Sequence, residues 1–588
     1  MPERRNPVDV VLVGVGFTGA ILGKELAGAG LSVVGLERGI RRDTVPDFQG
    51  PAMHDELRYA VRHGLIQDPA RETYTFRNNP NEEALPVRVL GSFLPGTDVG
   101  GAGVHWNGHT WRFLPTDFVM RSHYTERYGA EIFDDDLTVQ DWGITYGELE
   151  PYYDRFEYLC GIGGKAGNLR GDIQPGGNPF EGARAREFPN PPTEPAYAGA
   201  LFGHAARQLG YTPFQIPSAN MTRAYTNPEG LQLMPCSICG FCERFGCEHF
   251  AKASPQTVIL PATLKQPNFE LRTQAHVTRV IVDKQRQRAS GVLYVDAAGR
   301  EIEQPAELVI LCSFALNNVR LMLVSEIGRP YDPATGEGTI GRNYSYQTMS
   351  SLSVFYDQDR NINPFMGAGA LGTAIDDYNG DNFDHTGLGF VGGAYISANT
   401  TGGRPIEYHP VPPGTPRWGL GWKQAVARHY NHTVSVGCHG SSVSARGNYL
   451  SLDPTYRDAF GVPLLRITFD FPENDIRMSE YVTARATEIA KLMGGRTIAA
   501  SAQSRPYSVV PYQTTHNTGG AIMGADPTTS AVNRYLQSWD VPNVFVMGAS
   551  AYPQNAGYNP TGTVGALTYW AAEAIVTRYL KNPGPLVP

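Results

Sequence analysis

Residues 8–39 read VDVVLVGVGFTGAILGKELAGAGLSVVGLERG, an apolar strand-like run, a glycine turn, a helical segment and a second strand-like run. Gly14, Gly16 and Gly19 form the pattern GxGxxG, and Glu37 ends the second apolar run. In this pattern the glycines permit a tight turn, close approach of the backbone to a pyrophosphate, and close packing of helix on strand. Glu37 is placed to accept hydrogen bonds from an adenosine ribose. The stretch predicts an α/β fold that binds a dinucleotide.

Composition limits the classes of function that fit the chain. The 588 residues exceed what one hydrophobic core usually supports, so two or more globular units are expected. A formal charge of -8, without a basic stripe, argues against nucleic-acid binding. No apolar run reaches transmembrane length, and the N-terminal residues lack the pattern of a signal peptide. We expect a soluble protein without an export signal of its own.

Two further segments decide between NAD and FAD, which share the glycine fingerprint. Residues 100–107, GGAGVHWN, form a glycine-rich aromatic loop suited to packing on a flat ring. Residues 543–563, NVFVMGASAYPQNAGYNPTGT, predict a buried strand, a turn and a loop. A helix that begins near Thr561 would direct its N-terminal amides at a flavin pyrimidine. Both segments favour a flavin.

These segments resemble the glucose-methanol-choline (GMC) oxidoreductases, FAD enzymes that oxidise alcohols and sugars. The resemblance covers nearly the whole chain and extends to DWGITYGELEPYYDRFE (141–157), ELVILCSFALNNVRLML (307–323) and HNTGGAIMG (516–524). Within the family, ERFGCEHFAKASP (243–255) and DELRYAVRHGL (55–65) are most similar to the flavoprotein subunits of membrane-associated gluconate 2-dehydrogenases.

The resemblance implies a discontinuous Rossmann-like FAD-binding domain and an α+β substrate domain with an antiparallel sheet. We expect the FAD domain at residues 1–125, 260–344 and 510–588, a helical and loop excursion at 126–259, and the substrate domain at 345–509. The implied FAD-binding residues are Gly14, Gly16, Gly19, Glu37, Gly100, Gly101, His105, Asn107, Val277, Gly548, Ala549 and Thr561.

Hydride transfer from a secondary alcohol needs a base for the hydroxyl proton. His516 precedes Met523 by seven residues, the spacing at which the family places its catalytic histidine. The resemblance therefore makes His516 the base and Asn559 the residue that orients the substrate hydroxyl. From the residues alone, either side chain could instead cap a turn.

His105 raises the question of covalent flavin. The order GGxxxHW resembles that of relatives whose histidine is bonded to the flavin 8-methyl group, so we expect FAD linked to His105. A histidine that only hydrogen-bonds within the loop is the alternative, and His109 is close enough in sequence to compete.

Four of the seven cysteines lie in CSICGFCERFGC, residues 236–247, spaced C-x-x-C-x-x-C-x-x-x-x-C. Two disulfides among these cysteines would close very short loops and would stabilise the fold little. A structural zinc site usually takes its ligands from two separated pairs of cysteines. The spacing of Cys236, Cys239, Cys242 and Cys247 favours an iron-sulfur cluster. In the dehydrogenases that the chain resembles, three cysteines bind a three-iron cluster, so the resemblance implies the 3Fe-4S type, with the nuclearity and the role of the fourth thiol open. Zinc and free or disulfide-bonded thiols stay open as alternatives.

The resemblance implies a dehydrogenase that oxidises D-gluconate to 2-dehydro-D-gluconate. Electrons would pass through the cluster to a multihaem cytochrome c subunit and then to quinone. A small companion subunit would carry the export signal and place the enzyme at the periplasmic face of the inner membrane, with the cytoplasm as the alternative. Competing functions are another sugar or polyol dehydrogenase (glucose, fructose, sorbitol, 2-ketogluconate), an oxygen-using pyranose or glycoside oxidase, and a catalytically silent nucleotide-binding protein with a zinc ribbon.

Overall fold

The computed structural model describes residues 2–49, 64–70, 72–89, 93–283, 285, 287–403 and 408–587. Residues 55–63 of DELRYAVRHGL therefore lie outside the described residues. Among the described residues, no helix has both the length and the apolar character needed to cross a bilayer.

A mostly parallel sheet is assembled from distant parts of the chain. Its parallel strands, in spatial order, are Phe269–Arg272, Val33–Leu36, Val8–Val13, Glu301–Leu311 and Val544–Val546. An antiparallel hairpin, His276–Asp283 with Arg288–Val295, pairs with the first half of Glu301–Leu311, and Glu3–Arg4 adds a short parallel pair. The central strands are buried on both faces, which explains their continuous Val and Leu content.

Helices cover this sheet. Phe17–Gly28 follows the first strand and packs against Thr561–Ala574, which in turn contacts Tyr146–Cys160. The remaining α-helices are Ala102–His105, Met120–Tyr128, Tyr197–Gln208, Pro255–Val258, Leu260–Thr263, Ala315–Val324, Leu420–His429 and Glu473–Leu492. Short 3-10 and π turns lie at Thr44–Phe48, Pro115–Val119, Ala130–Ile132, Ala549–Ala551 and Ile575–Tyr579.

A second sheet is antiparallel throughout. Its strand order is Thr497–Ser501, Thr348–Phe355, Thr433–Gly440, Ala394–Asn399, Gly372–Ile375 and Phe214–Gln215. One face packs on the helices Tyr197–Gln208 and Glu473–Leu492 and has its own apolar core. Along Thr433–Gly440, Val434, Val436 and Cys438 belong to that core. The alternate residues Ser435, Gly437 and His439 face the cavity because side chains alternate along a strand.

Smaller sheets complete the described chain: Tyr449–Arg457 with Pro463–Thr468, Thr75–Arg77 and Leu85–Pro86; Tyr225–Thr226 with Gln232–Leu233; Ser345–Tyr346 with Asn517–Thr518; and Asn168–Leu169 with Asp172–Ile173.

The predicted fold class is confirmed: a discontinuous Rossmann-like sheet is combined with an antiparallel sheet. One strand was not expected where it lies. Phe214–Gln215 belongs to the segment interpreted as an excursion, yet it forms the edge of the antiparallel sheet by pairing with Gly372–Ile375. The domain boundaries themselves stay predictions.

Candidate active site

The glycine fingerprint forms the turn that the sequence predicts. Gly14 has φ +96°, a conformation that side-chain-bearing residues rarely adopt. A Cβ added at Gly19 would lie 2.2 Å from the Gly14 carbonyl oxygen, so only glycine permits this approach of helix to turn. The buried Glu37 carboxylate accepts hydrogen bonds from the backbone N–H groups of Val15 (2.9 Å) and Gly39 (3.1 Å). Burial raises the pKa of Glu37.

A cavity of about 1250 Å³ runs from this turn to the antiparallel sheet. Its volume exceeds the roughly 300–1,000 Å³ of ordinary ligand pockets, which suits a dinucleotide together with a substrate. The predicted cofactor and catalytic residues that line it are Gly14, Gly16, Glu37, Gly100, Gly101, His105, Asn107, Val277, Gly548, Ala549, Thr561, His516 and Asn559. Gly19 does not line the cavity, in keeping with its packing role.

The GGAGVHWN loop crosses the first turn of the fingerprint. Gly100 donates to the Val15 carbonyl (2.7 Å), which holds the loop over the N-terminus of the Phe17–Gly28 helix. His105 is buried, and its Nε2 has no hydrogen-bond partner among the described residues. Burial, assisted by the charge of Lys252, lowers the pKa of His105 to about 3, so the ring is neutral. A buried, neutral Nε2 without a partner, on a residue that lines the cavity, fits a role toward the flavin.

His109 shares several of these properties. It is buried in the same cavity, and neither ring nitrogen has a hydrogen-bond partner among the residues that the structure describes. Burial lowers its pKa to about 3. The site of the expected covalent bond therefore stays a prediction.

His516 and Asn559 come together in the cavity. Asn559 Nδ2 lies 3.3 Å from His516 Nε2. Asn559 Oδ1 accepts hydrogen bonds from Trp111 Nε1 (3.1 Å) and the Tyr395 hydroxyl (3.0 Å). Because both donors bind the oxygen, the amide nitrogen is directed at His516 and the cavity. Asn559 can therefore donate a hydrogen bond to a substrate oxygen.

Gln347 determines which of the two ring nitrogens of His516 carries the proton. Gln347 Nε2 donates to the carbonyls of Ala556 (3.4 Å) and Tyr558 (3.3 Å), so its Oε1 faces His516 Nδ1 and is hydrogen-bonded to it. An amide oxygen only accepts, which places the proton on Nδ1 and leaves a lone pair on Nε2. Burial, with a smaller contribution from His439, lowers the pKa of His516 well below its ordinary value. The ring is a neutral acceptor with Nε2 facing the cavity.

A further histidine of the site was missed by sequence reasoning. The His439 ring centroid lies 5.9 Å from that of His516 and 5.2 Å from that of Tyr395. The His109 ring stacks on that of His439, with ring centroids 6.5 Å apart. No local motif marks His439, because it reaches the site from a strand of the antiparallel sheet. The two-residue alternation of that strand is the signal that could have indicated it.

The four clustered cysteines line one small cavity beside the flavin loop. All four are free thiols. Cys242 Sγ accepts a hydrogen bond from Asn220 Nδ2 (3.2 Å), and Cys236 Sγ accepts one from the Ile238 N–H (3.4 Å). Among the described residues, no three Cys, His, Asp or Glu side chains are already arranged as a metal site. The donor chemistry fits a thiolate-bound cluster, and the cluster itself stays a prediction.

Direct contacts join the cysteine run to the flavin loop. The Arg244 N–H donates to the His105 carbonyl (2.7 Å). The fully buried Lys252 ammonium donates to the carbonyls of Trp106 (2.8 Å), Cys242 (2.9 Å) and Phe245 (2.9 Å). The two loops are thus bound to each other through one buried cation. The sequence predicted neither this contact between the cysteine run and the flavin loop nor the position of Lys252.

Comparison with known proteins agrees with this geometry. The GMC oxidoreductase family models match residues 198–349 and 444–568. The chain is 50% identical over 585 residues to the gluconate 2-dehydrogenase flavoprotein of Pantoea cypripedii, covering 99% of this chain and 95% of that protein. It is 28% identical to the 2-methyl-1,2-propanediol dehydrogenase of Mycolicibacterium austroafricanum, covering 98% and 97%.

A solved structure extends the match in fold. Pyridoxine 4-oxidase from Mesorbium loti superimposes with a TM-score of 0.59 at 17% identity, covering 98% of this chain and 100% of that one. Half-identity to a relative along nearly the full length leaves no doubt about descent: the chain belongs to the GMC oxidoreductases, FAD-dependent enzymes that act on CH–OH groups.

Proposed function

We propose that this chain is the flavoprotein of a sugar-acid dehydrogenase that oxidises D-gluconate at carbon 2 to 2-dehydro-D-gluconate. The observation that carries the proposal is the pairing of His516 Nε2 with Asn559 Nδ2 in the cavity that the flavin-loop residues also line. The 50% identity to a gluconate 2-dehydrogenase flavoprotein supports this choice of substrate.

His516 acts as the general base. Its Nε2 lone pair accepts the proton of the substrate hydroxyl, while Gln347 Oε1 holds the other proton on Nδ1. Because burial keeps the ring neutral, the base is available without a prior deprotonation step. FAD, when bound, supplies the hydride acceptor, so the alcohol carbon loses a hydride as its oxygen loses a proton.

Asn559 orients the reacting oxygen. Trp111 and Tyr395 hold its amide oxygen, so its amide nitrogen is directed at the cavity beside His516. There an N–H donates to the substrate oxygen, and the Nε2 lone pair of His516 is left for the substrate proton. A neutral amide does not compete for the proton, so base and positioning group have separate roles.

The FAD site is formed by the residues around the first turn and the flavin loop. Gly14 and Gly16 allow the pyrophosphate to approach the N-terminus of the Phe17–Gly28 helix, and Glu37 and Val277 lie at the adenosine end. Gly548 and Ala549 follow the strand Val544–Val546, Thr561 begins the helix Thr561–Ala574, and all three line the cavity. We assign them to the flavin end of the site. We further propose a covalent bond from His105 to the flavin, supported by its unpartnered Nε2.

Three of the four thiols of Cys236, Cys239, Cys242 and Cys247 supply the ligands of an iron-sulfur cluster, of the 3Fe-4S type, that receives electrons from the flavin. Their free thiols, their shared cavity and the contacts between this run and the flavin loop support the assignment. Electrons then leave to a multihaem cytochrome c subunit and quinone, and a small companion subunit exports the enzyme to the periplasmic face of the inner membrane.

Isotopic substitution tests the reaction and its regiochemistry together. Flavin reduction is followed by stopped flow with D-gluconate and with D-gluconate deuterated at carbon 2. The proposal predicts slower bleaching with the deuterated substrate, because the bond to the carbon-2 hydrogen breaks in this step. Equal rates, with a product other than 2-dehydro-D-gluconate, would assign the oxidation to a different carbon.

A further inference from the structure

Large apolar side chains are exposed on both sides of the cysteine run. Met234 and Phe250 flank it in sequence and are 47% and 37% exposed. Phe365 and Met366 are 51% and 57% exposed and immediately precede Gly367, which forms a β-bridge with Cys239. Exposed apolar groups that cluster at one place mark binding surfaces more often than single ones do.

The helix Leu420–His429 continues this surface. It has no buried residue, and it is preceded by Trp418, which is 84% exposed, while Leu420 is 71% exposed. Tyr430 directly follows the helix, and its ring centroid lies 5.9 Å from that of Phe365. A ten-residue helix is about 15 Å long, so Trp418 lies about that far along the chain from the end of the helix that meets Phe365.

The charge of this helix differs from that of the whole chain. Residues 408–432 contain no Asp or Glu, whereas the exposed Arg417, Lys423 and Arg428 are all basic. The chain as a whole carries a formal charge of -8. A locally basic, Trp- and Met-bearing surface on an acidic protein is complementary to an acidic partner.

We propose that Met234, Phe250, Phe365, Met366 and the helix with Trp418 form the docking surface for an acidic one-electron redox protein. We call this set the cysteine face. The inference rests on the proposed function in one respect, that electrons leave at the cysteine run. Apolar contacts hold the partner over that exit, and the basic helix steers its approach.

The test separates docking from substrate chemistry. Enzyme whose flavin has been reduced with dithionite is mixed with membranes of the producing organism that lack this chain, and haem reduction is followed by absorbance. We expect Trp418→Asp combined with Leu420→Asp to slow haem reduction by about ten-fold or more. Lys423→Glu combined with Arg428→Glu should also slow it and should weaken its dependence on salt.

Ile173→Asp is the matched control, because Ile173 is 58% exposed on the hairpin Asn168–Leu169 with Asp172–Ile173, which contributes nothing to the cysteine face. All variants should keep wild-type turnover with ferricyanide, a small acceptor that needs no docking surface. Wild-type haem reduction by the Trp418 and Leu420 double variant would overturn the proposal. A variant that loses binding to phosphatidylglycerol vesicles, but still reduces solubilised cytochrome normally, would also overturn it and assign this face to lipid.

The two proposals fail in different ways. If gluconate does not bleach the flavin, the substrate assignment is wrong, but dithionite-reduced enzyme still reports on docking. If gluconate bleaches the flavin and the cysteine-face variants match the control, the docking assignment alone is wrong.

Discussion

At the scale of single residues, the proposed base is His516, which would take the proton of the substrate hydroxyl. His516→Ala should bind FAD normally and reduce it about 100- to 10,000-fold more slowly with substrate, the usual contribution of a positioned base. Stopped-flow bleaching of the flavin measures this rate. His204→Ala, at an exposed helical position, is the control. Near-normal reduction in His516→Ala would remove His516 from the mechanism.

Gln347 should control the pH dependence of the same step. Burial lowers the pKa of His516 well below its ordinary value, so the base is already neutral and the rate should not fall as the pH passes the ordinary histidine pKa of about 6.5. In Gln347→Glu, a carboxylate beside Nδ1 would stabilise the imidazolium and raise the pKa of His516. The rate should then fall as the pH is lowered.

Gln347→Leu removes the hydrogen bond without adding charge. It should lower the rate of flavin reduction at every pH, because Nδ1 of His516 is no longer held in its protonated form. The rate should not fall further at low pH, and this separates loss of the Nδ1–H tautomer from a raised pKa of His516. A wild-type acid limb near pH 6.5, the ordinary pKa of histidine, would contradict the burial argument.

His105 should determine whether flavin stays with denatured protein. The account predicts that acid-precipitated wild type and His109→Ala keep the flavin absorbance, whereas His105→Ala releases it to the supernatant. Both histidines are buried in the same cavity. Comparing the two alanine variants therefore separates loss of the covalent bond from a general effect on packing. Retention of flavin in precipitated His105→Ala would exclude the bond.

Sequence reasoning predicted the pair of residues that the structure brings together in the cavity, but not the residues that support them. His516 and Asn559 were predicted from the spacing of family motifs. Gln347 contacts His516 across 169 residues, and Trp111 contacts Asn559 across 448. Such contacts depend on how two sheets are placed in space, and no local pattern in the sequence encodes them.

At the scale of elements, the packing of the Phe17–Gly28 helix on its turn can be tested by matched glycine substitutions. Gly19→Ala forces a methyl group to within 2.2 Å of the Gly14 carbonyl oxygen and should lower Tm and FAD content. Gly28→Ala meets nothing within 4 Å at the end of the same helix, so it should be neutral or stabilising by up to about 1 kcal/mol. Equal effects of the two changes on Tm and FAD content would refute the close-packing argument.

Local elements were predictable where one stretch of chain carries the whole pattern. The strand, turn and helix at residues 8–28 follow from periodicity and glycine position. The register of the antiparallel sheet was not predictable, because its strands pair across loops of very different length. The edge strand Phe214–Gln215 shows this most clearly, since it joins the sheet from a distant segment.

At the scale of the whole molecule, the cysteine run should separate substrate oxidation from electron exit. Cys239→Ser should lose iron yet still bleach its flavin with gluconate, because the base and its partner lie elsewhere in the fold. Haem reduction in the membrane assay should be lost. Ser237→Ala, in the same loop, should retain iron and transfer. Full iron content in Cys239→Ser, or flavin reduction lost together with iron, would contradict this division.

The most direct test of the central claim is the visible spectrum of anaerobically purified protein, recorded before and after addition of D-gluconate, with iron and zinc assayed on the same sample. The account predicts that gluconate bleaches the flavin bands and that iron, not zinc, is bound. A flavin that dithionite bleaches but gluconate leaves unchanged would contradict the assignment of this chain as a gluconate dehydrogenase.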